Sequence, residues 1–343
     1  MHHKKHALLL VNLGSPLKPE PWALYKYLTE FLNDRRVVDL PSLGRFLLVN
    51  GIIVPFRHRK SAKAYKALWT AEGAPLISAS KSVQRKLQQR IDPSTGHMKV
   101  FLAMRYQEPS IEIAVKEIMH WHPDIITVLP LFPQYASATN GSVIDKMMRI
   151  LRDSWVIPEV RFISQFWDHP QYLKAVASRA EKYNPSSYDH ILFSFHGVPE
   201  RHVDKVYPDS MCRDHDCEHG VTEDSKFCYK ASCFSTAHAV AKMLSIDRSR
   251  YTVCFQSRLG RGWLEPFSDQ VIKELAKQGK KRILVFSPAF VADCLETTIE
   301  IGEEYLELFQ HHGGEELQLV ESLNDGDDWV EALAEISGLT QNH

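Results

Sequence analysis

Four of the six cysteines lie between residues 212 and 233, in a polar segment with the spacing Cys-x4-Cys-x10-Cys-x4-Cys. Four thiolates on a short polar loop are typical of a Zn²⁺ site or an iron–sulfur cluster. The four-residue spacing within each pair is wider than the spacing of structural zinc pairs, which favours an iron–sulfur cluster. His215 and His219 are alternative ligands. Cys254 and Cys294, in or just after apolar strands, are predicted to be inert small hydrophobic residues.

A row of carboxylates without any Lys or Arg follows the segment SPAFV, in ADCLETTIEIGEEYLELF. At helical spacing the apolar side chains share one face, and these are Leu295, Ile299, Leu306 and Phe309. The acidic side chains also recur every three or four residues, on a helix face beside the apolar one. They are Asp293, Glu296, Glu300, Glu303 and Glu307. A solvated helix face is the simpler interpretation, but such faces usually mix charges of both signs. The pattern therefore predicts a path for a divalent cation or for protons.

His196 ends the apolar run ILFSF, just before Gly197 and Pro199. Parallel α/β proteins place functional groups at the ends of their strands, and a neutral imidazole can accept a proton or bind a metal near pH 7. A structural role for a single histidine remains the alternative on this observation alone.

The elements that must position these groups are short apolar runs alternating with amphipathic stretches, a pattern typical of parallel α/β units. The two halves of the chain also resemble each other. ALLLVNLGSP is echoed by HILFSFHGVP, the Glu108-Pro109 segment by Glu265-Pro266, and IITVLPLFPQ by RILVFSPAFV, in the same order. We therefore expect a duplicated architecture of two doubly wound domains, with ligands outside the carboxyl ends of their strands.

Composition excludes several classes of function. The formal net charge is −1, so no global positive field indicates nucleic acid binding. No dinucleotide loop, P-loop, Gly-x-Ser-x-Gly or His-Glu-x-x-His pattern is present. The N-terminal apolar run covers only residues 7–11, which predicts a first strand rather than a signal peptide. We expect a cytoplasmic protein, in which disulfides are rare.

The segment GRFLLVNGIIVPFRHRK, residues 44–60, is apolar from Phe46 to Phe56 and ends in four basic positions. A buried helix or strand is one interpretation. The other is a hydrophobic lip that meets an apolar ligand or a membrane face, with the basic cluster at the lipid headgroups.

Taken together, these motifs resemble the ferrochelatase family over most of the chain. The resemblance is carried in order by LLLVNLGSP, FLNDRRVVDLP, MRYQEPS, LPLFPQYASAT, SFHGVPERHV, QSRLGRGWLEP and SPAFVADCLETTIEI. It implies a lyase of the chelatase fold, with two Rossmann-like domains of parallel sheet facing a porphyrin cleft. The domains are expected at 1–165, with the lip at about 44–77, and at 166–343, with the cysteine segment 212–233 and a C-terminal helix.

The resemblance also implies roles for individual residues. His196 corresponds to the family's essential histidine and Glu296 to its motif glutamate, with Asp293 beside it. Glu300 and Glu303 are candidates for a metal or proton route on the acidic spacing described above. Residues on the porphyrin side are Leu13, Arg105, Tyr106, Tyr135, Trp263 and Phe290. Animal members have methionine at the position of Leu13 and histidine at the position of Cys294, and Trp263 matches the family motif only across a gap of one residue. The exact roles of these three residues therefore do not transfer from the family.

Animal members hold a [2Fe–2S] cluster partly through a C-terminal extension that this chain lacks, whereas some bacterial members resemble this chain in having an internal cysteine segment. By that resemblance a [2Fe–2S] cluster is assigned to Cys212, Cys217, Cys228 and Cys233. The expected substrates are Fe²⁺ and protoporphyrin IX, at the terminal step of protoheme synthesis. We expect no nucleic acid partner. The lip is expected to make a peripheral contact at the inner face of the membrane, and the protein is expected to be a monomer or a homodimer.

The chemistry of metal insertion suits these residues. Entry of a metal requires bending of the planar macrocycle and loss of two pyrrole protons, and an apolar site favours the bent form. Carboxylates and His196 can replace the water shell of Fe²⁺. One alternative is another tetrapyrrole chelatase, such as one that prefers coproporphyrin. A second is a non-catalytic heme or iron–sulfur sensor, against which His196 and Glu296 argue.

Overall fold

The computed structural model describes residues 4–91, 96–258 and 260–339. Leu259, within the predicted QSRLGRGWLEP motif, lies outside the described residues. The described residues form two compact units, one drawn from residues 4–132, 137–165 and 330–339, the other from residues 133–136 and 166–329. The division at residue 165 that the sequence indicates remains a prediction.

The first unit is built on a four-stranded parallel sheet of order β2-β1-β3-β4. Its central strand β1 is buried on both faces, since residues 7–11 are at most 1% exposed, as expected for a parallel sheet covered by helices. The strands are β1 His6–Asn12, β2 Met98–Met104, β3 Ile125–Pro130 and β4 Glu159–Phe162. The helices are α1 Pro21–Leu32, α2 Ser42–Leu48, α3 Val54–Leu68, α4 Pro75–Arg90, α5 Ile111–His120 and α6 Ser142–Arg152, with π-helical turns at Val49–Ile53 and Ser137–Gly141.

The second unit repeats this topology, with the parallel order β6-β5-β7-β8. Its strands are β5 His190–His196, β6 Tyr251–Gln256, β7 Arg282–Phe286 and β8 Glu316–Leu319. The helices are α7 Pro170–Glu181, α8 Glu200–Asp204, α9 Tyr229–Met243, α10 Ser268–Lys277, α11 Leu306–His311 and α12 Asp327–Ile336, which extends past the end of this unit. Short 3₁₀ turns lie at Pro185–Ser187, Cys212–Asp214, Cys217–His219 and Arg248–Arg250, and a π-helix spans Leu295–Tyr305.

The echo between the two halves extends to local backbone geometry. The peptide bonds Glu108-Pro109 and Glu265-Pro266 are both cis, and Gln107 and Ser257 both have φ of 64°. Each third strand is followed by a π-helix. The two sheets and their connections therefore confirm the predicted α/β fold and its duplicated architecture.

Both sheets change winding direction next to their first strands, between β1 and β3 and between β5 and β7. Ligands of doubly wound sheets bind outside the carboxyl ends of the strands at such switch points. Leu13 follows β1 and His196 ends β5, so the fold places both predicted residues at switch points of their units.

Candidate active site

His196 is the half-buried last residue of β5, whose other residues are buried. Its ring Nδ1 lies 2.7 Å from the carbonyl oxygen of Gly197. Because a carbonyl only accepts hydrogen bonds, Nδ1 must carry the proton, and in the neutral ring Nε2 then has the free lone pair. The local structure thus prepares Nε2 of His196 to accept a proton or bind a metal ion.

The chain leaves β5 at a glycine because no side chain fits there. A Cβ on Gly197 would lie 2.6 Å from the main-chain oxygen of Gln256 and 3.4 Å from the indole of Trp263. The ring of Phe290 packs edge-on to His196, with 6.2 Å between ring centroids. Two of the predicted porphyrin-side residues, Trp263 and Phe290, are therefore neighbours of the His196–Gly197 turn.

Glu296 and Glu300 lie in the π-helix Leu295–Tyr305 that follows β7. Glu300 accepts hydrogen bonds from Ser257 Oγ at 2.6 Å and from Tyr305 Oη at 2.9 Å. Burial raises the pKa of Glu300 and the nearby Glu296 charge raises it further, against the lowering by Ser257, Tyr305 and His196. Glu300 thus lies within electrostatic reach of both Glu296 and His196.

The acidic segment is not the α-helix that the three-or-four spacing suggested. Its hydrogen bonds over residues 295–305 are π-helical, and α-helical geometry begins only at Leu306. The buried positions in the π-helix are Thr297, Ile299, Ile301 and Tyr305. π-helical segments are rare and frequently occur at functional sites.

Asp293, just before this helix, makes contacts different from those of Glu296 and Glu300. Its Oδ2 accepts from Nδ2 of Asn324 at 2.8 Å, its Oδ1 accepts from the Ser322 amide at 3.2 Å, and its own amide donates to Asn324. Glu303 and Glu307 are exposed. Of the predicted acids, Glu300 therefore lies near both Glu296 and His196, whereas Asp293 is held on the Ser322–Asn324 loop.

Several supporting residues were not anticipated from the sequence. Gln256, at the end of β6, donates to the main-chain oxygen of Glu296 at 3.1 Å and accepts from Ser194 of β5 at 2.6 Å. Burial raises the pKa of Cys294, and Glu296 raises it further by its charge and by a hydrogen bond. Cys294 is thus buried as predicted, but it also contacts Glu296. The only sequence signal for Gln256 was its position in the QSRLG motif.

The predicted pair Arg105 and Tyr106, in the first unit, is anchored on a residue that sequence reasoning missed. The Asp34 carboxylate accepts from Arg105 Nη2 at 2.5 Å, from Tyr106 Oη at 3.0 Å and from Ser142 Oγ. Tyr106 is fully buried in the cluster formed with α1 and α3. Asp34 lies in the FLNDRR motif, but nothing in its local sequence separates it from the other acids there.

Leu13 and Tyr135 are half-buried. Leu13 packs against the same hydrophobic cluster as Tyr106. Tyr135 meets Phe227 edge-on, with 5.4 Å between ring centroids. Part of each side chain remains accessible.

All four cysteines of the segment are free thiols and buried. Hydrogen bonds from Cys212 and Cys217 lower the pKa of Cys228, so the three thiols lie close together. Cys233 is fully buried in α9. His215 contacts Ser210 and His219 contacts Asp216, so these two histidines have partners outside the thiol cluster.

Among the described residues, no group of three or more His, Cys, Asp or Glu side chains has the arrangement of a formed metal site. The three interacting thiols are therefore a cluster of hydrogen-bonded sulfurs, and the four-ligand set implied by the resemblance is not shown.

The predicted lip is helical and largely exposed. Its apolar side chains include Phe46 at 58%, Leu47 at 60%, Ile52 at 57% and Phe56 at 82% exposure, so a buried segment is the wrong interpretation for these four. None of the helices in the described ranges is both long and apolar enough to cross a bilayer.

Comparison with known proteins identifies the family to which the sequence is similar. The sequence model of the ferrochelatase family matches residues 5–339. The ferrochelatase of Legionella pneumophila (strain Lens) is 41% identical over 333 residues, which is 97% of this chain and 98% of that protein. That of Pseudomonas fluorescens (strain SBW25) is 44% identical over 332 residues, 96% of each chain.

Among solved structures, SirB from Bacillus subtilis with Fe³⁺ is similar, with a TM-score of 0.57 and 13% identity over 99% of this chain and 98% of that chain. At this identity the likeness shows the fold alone. The match to the family model and the identity to two full-length relatives give the stronger conclusion. The chain belongs to the ferrochelatase family, enzymes of the lyase class that insert Fe²⁺ into protoporphyrin in heme synthesis.

Proposed function

We propose that this chain carries out its ferrochelatase reaction at the end of β5, with His196, Glu296 and Glu300 as the groups that handle protons and metal. The observation that carries the proposal is the juxtaposition of a histidine with a free Nε2 and two carboxylates, one of them with a raised pKa. All three lie at the carboxyl edge of one parallel sheet, at its switch point.

His196 Nε2 accepts a pyrrole proton, because Nδ1 is already committed to the Gly197 carbonyl. Glu300 binds a proton more readily than an ordinary glutamate, so it is suited to take the proton onward. Glu296 is the carboxylate whose charge acts on Glu300. A second pyrrole proton leaves by the same groups as Fe²⁺ exchanges its water ligands for the ring nitrogens.

The aromatic side chains of Trp263 and Phe290 bind one part of the porphyrin beside His196, since both lie next to the His196–Gly197 turn. Leu13 and Tyr135 are further contacts on the strength of the resemblance. For Arg105 and Tyr106 we assign a positioning role, because their polar atoms bond to Asp34 and Tyr106 is fully buried.

Asp293 holds the segment that leads into the π-helix through its bonds with Ser322 and Asn324. Glu303 and Glu307 extend the acidic series to the surface. Their exposure supports a route by which Fe²⁺ enters or protons leave, as the sequence pattern suggested.

The test compares steady-state metal insertion by His196→Ala and Glu296→Gln with that of Glu304→Gln, an exposed glutamate in the same helix. A positioned acid–base group contributes roughly 10²–10⁴-fold, so both site variants should lose kcat on that scale while Glu304→Gln stays normal. Rates on protoporphyrin and coproporphyrin are measured with each protein. Near-normal kcat in both site variants would mean that the chemistry lies elsewhere.

A [2Fe–2S] cluster on Cys212, Cys217, Cys228 and Cys233 is the cofactor part of the proposal. Three of these thiols interact, which lowers the pKa of Cys228 but raises those of Cys212 and Cys217, so their proximity rather than their charge supports the proposal. The buried hydroxyl of Tyr207 has no oxygen or nitrogen acceptor among the described residues and interacts instead with Cys228. A bound cluster supplies a redox-active centre whose thiolate bonds tie the segment together.

Purified protein should then be reddish, with absorbance bands that dithionite bleaches. Serine at any of the four positions should abolish the colour and destabilise the protein, because binding of the cluster adds to the free energy of folding. Cys254→Ser is the matched control, since Cys254 is an equally buried thiol in β6. One zinc per chain without iron or sulfide would rule the cluster out.

The exposed apolar side chains of the lip support contact with the porphyrin or with a membrane surface, and the neighbouring basic residues of α3 suit anionic headgroups. Liposome flotation with and without anionic lipid distinguishes these two roles.

A further inference from the structure

Tyr229 is the first residue of α9, directly after Cys228, which caps the helix by accepting from the Ala231 amide. The hydroxyl of Tyr229 donates to the main-chain oxygen of His196 at 2.9 Å. Tyr229 is 7% exposed, so water competes little for this bond. The residue that follows one cysteine of the segment therefore contacts the backbone of the proposed catalytic histidine.

The end of β5 needs such support because its neighbour β7 is shorter. Pairing with β7 stops at Phe193 and Phe286, whereas pairing with β6 continues to His196 and Gln256. The last three residues of β5 thus have a parallel partner on one side only. The Tyr229 hydroxyl adds a hydrogen bond where the ladder to β7 has ended.

Tyr229 also interacts with a second cysteine of the segment. Burial raises the pKa of Cys233, and the hydrogen bond with Tyr229 opposes this rise, which places the two side chains in contact. Tyr229 is therefore next to Cys228 in the chain, in contact with Cys233, and bonded to His196.

We propose that Tyr229 is a positioning residue for metal insertion, which holds the His196 backbone and makes that position depend on the structure of the cysteine segment. The inference rests on the roles proposed above for His196 and for the cysteines. Loss of the bond frees the strand end, and a small misplacement of a reacting group costs up to roughly 100-fold in rate.

Tyr229→Phe removes the hydroxyl and keeps the ring. The matched control is Tyr188→Phe, because Tyr188 is also buried and donates to Glu316 at 3.1 Å, just before the opposite end of β5. Tyr229→Phe should lower kcat by about tenfold or more with unchanged KM for porphyrin and unchanged visible absorbance per chain. Tyr188→Phe should lose only thermal stability, and equal kcat in the two variants would overturn the proposal.

Dependence on the cysteine segment is tested by a double-mutant cycle with Cys228→Ser. If Tyr229 transmits the effect, Cys228→Ser should lower kcat by a smaller factor in the Tyr229→Phe background than in the wild type. The same factor in both backgrounds would refute the transmission.

Hydrogen–deuterium exchange keeps the inference testable if Cys228→Ser does not fold. Peptides covering residues 190–197 should exchange faster in Tyr229→Phe than in Tyr188→Phe, and equal exchange would contradict the proposed hold on the strand. The His196→Ala and Glu296→Gln variants distinguish failure of the proposed function from failure of the role proposed for Tyr229. Near-normal kcat in both His196→Ala and Glu296→Gln refutes the proposed function, whereas inactive site variants together with a normal Tyr229→Phe enzyme refute this inference alone.

Discussion

Replacement of Asp34 by Asn should be among the most destabilising single changes in the first unit. The Asp34 carboxylate lies 2.5 Å from Arg105 Nη2, and the two side chains are only 6% and 11% exposed. The same carboxylate accepts from Tyr106 and Ser142. Asparagine keeps the shape but leaves the Arg105 charge buried without a counter-charge.

Removal of one partner from a buried ion pair costs about 3–5 kcal/mol of unfolding free energy. For a unit of this size each kcal/mol shifts Tm by about 2–4 °C, so Asp34→Asn should lower Tm by about 6–20 °C. Asp153→Asn is the control, because Asp153 pairs with Arg152 at 70% and 73% exposure. A surface pair of that kind contributes at most about 1 kcal/mol.

The pH dependence gives a second check. Burial by itself raises the pKa of Asp34, but hydrogen bonds from Ser142 and the Arg36 amide, with the Arg105 charge, bring the pKa below its usual 3.8. A lowered folded-state pKa means that the stabilisation is fully present above the unfolded pKa and is lost as pH falls through the folded one. The Tm difference between wild type and Asp34→Asn should therefore be full at pH 7 and shrink below about pH 4.

Thermal unfolding at pH 7 and at pH 3.5, followed by circular dichroism, measures both effects. A decrease in Tm no larger than that of Asp153→Asn would refute the claim that this pair is buried and structurally important. A difference in Tm that stays constant into acid would refute the assigned cause.

Three further outcomes are expected. Gly197→Ala should lower the free energy of unfolding by about 1–3 kcal/mol and lower kcat, because the Cβ of alanine would lie 2.6 Å from the main-chain oxygen of Gln256. A normal unfolding free energy in urea and a normal rate of metal insertion would contradict that close approach. Burial raises the pKa of Glu300 above its usual 4.5, so wild-type stability falls as pH rises above that value and the native carboxyl resists ionisation. Glu300→Gln should therefore gain Tm relative to wild type as pH rises above 4.5, while losing kcat, and a constant Tm difference would contradict the shift. Serine substitutions at three exposed lip positions should leave Tm nearly unchanged but weaken porphyrin binding or liposome association; the positions are Phe46, Leu47 and Ile52. Loss of the fold would show instead that these side chains belong to the hydrophobic core.

Fold class, duplication and family can all be recognised in the amino-acid sequence alone. Parallel strands buried on both faces appear as continuous apolar runs, so their positions and ends can be recognised locally. The position of His196 at a strand end followed from such a run, and the switch point there is where doubly wound sheets commonly bind ligands. The crowding of four cysteines is likewise a local feature, although local spacing does not show whether the thiols converge on a metal.

Features that depend on contacts distant in the chain, or on backbone hydrogen bonding, emerge only in the folded protein. Apolar and acidic spacing did not reveal the π-helix Leu295–Tyr305, because an i→i+5 ladder is chosen by packing around the segment rather than by side-chain type. Asp34 meets Arg105, and Tyr229 meets His196, across many residues of sequence. Such partners have no local signature, since a buried polar group is satisfied by whichever donor the folded chain brings within reach.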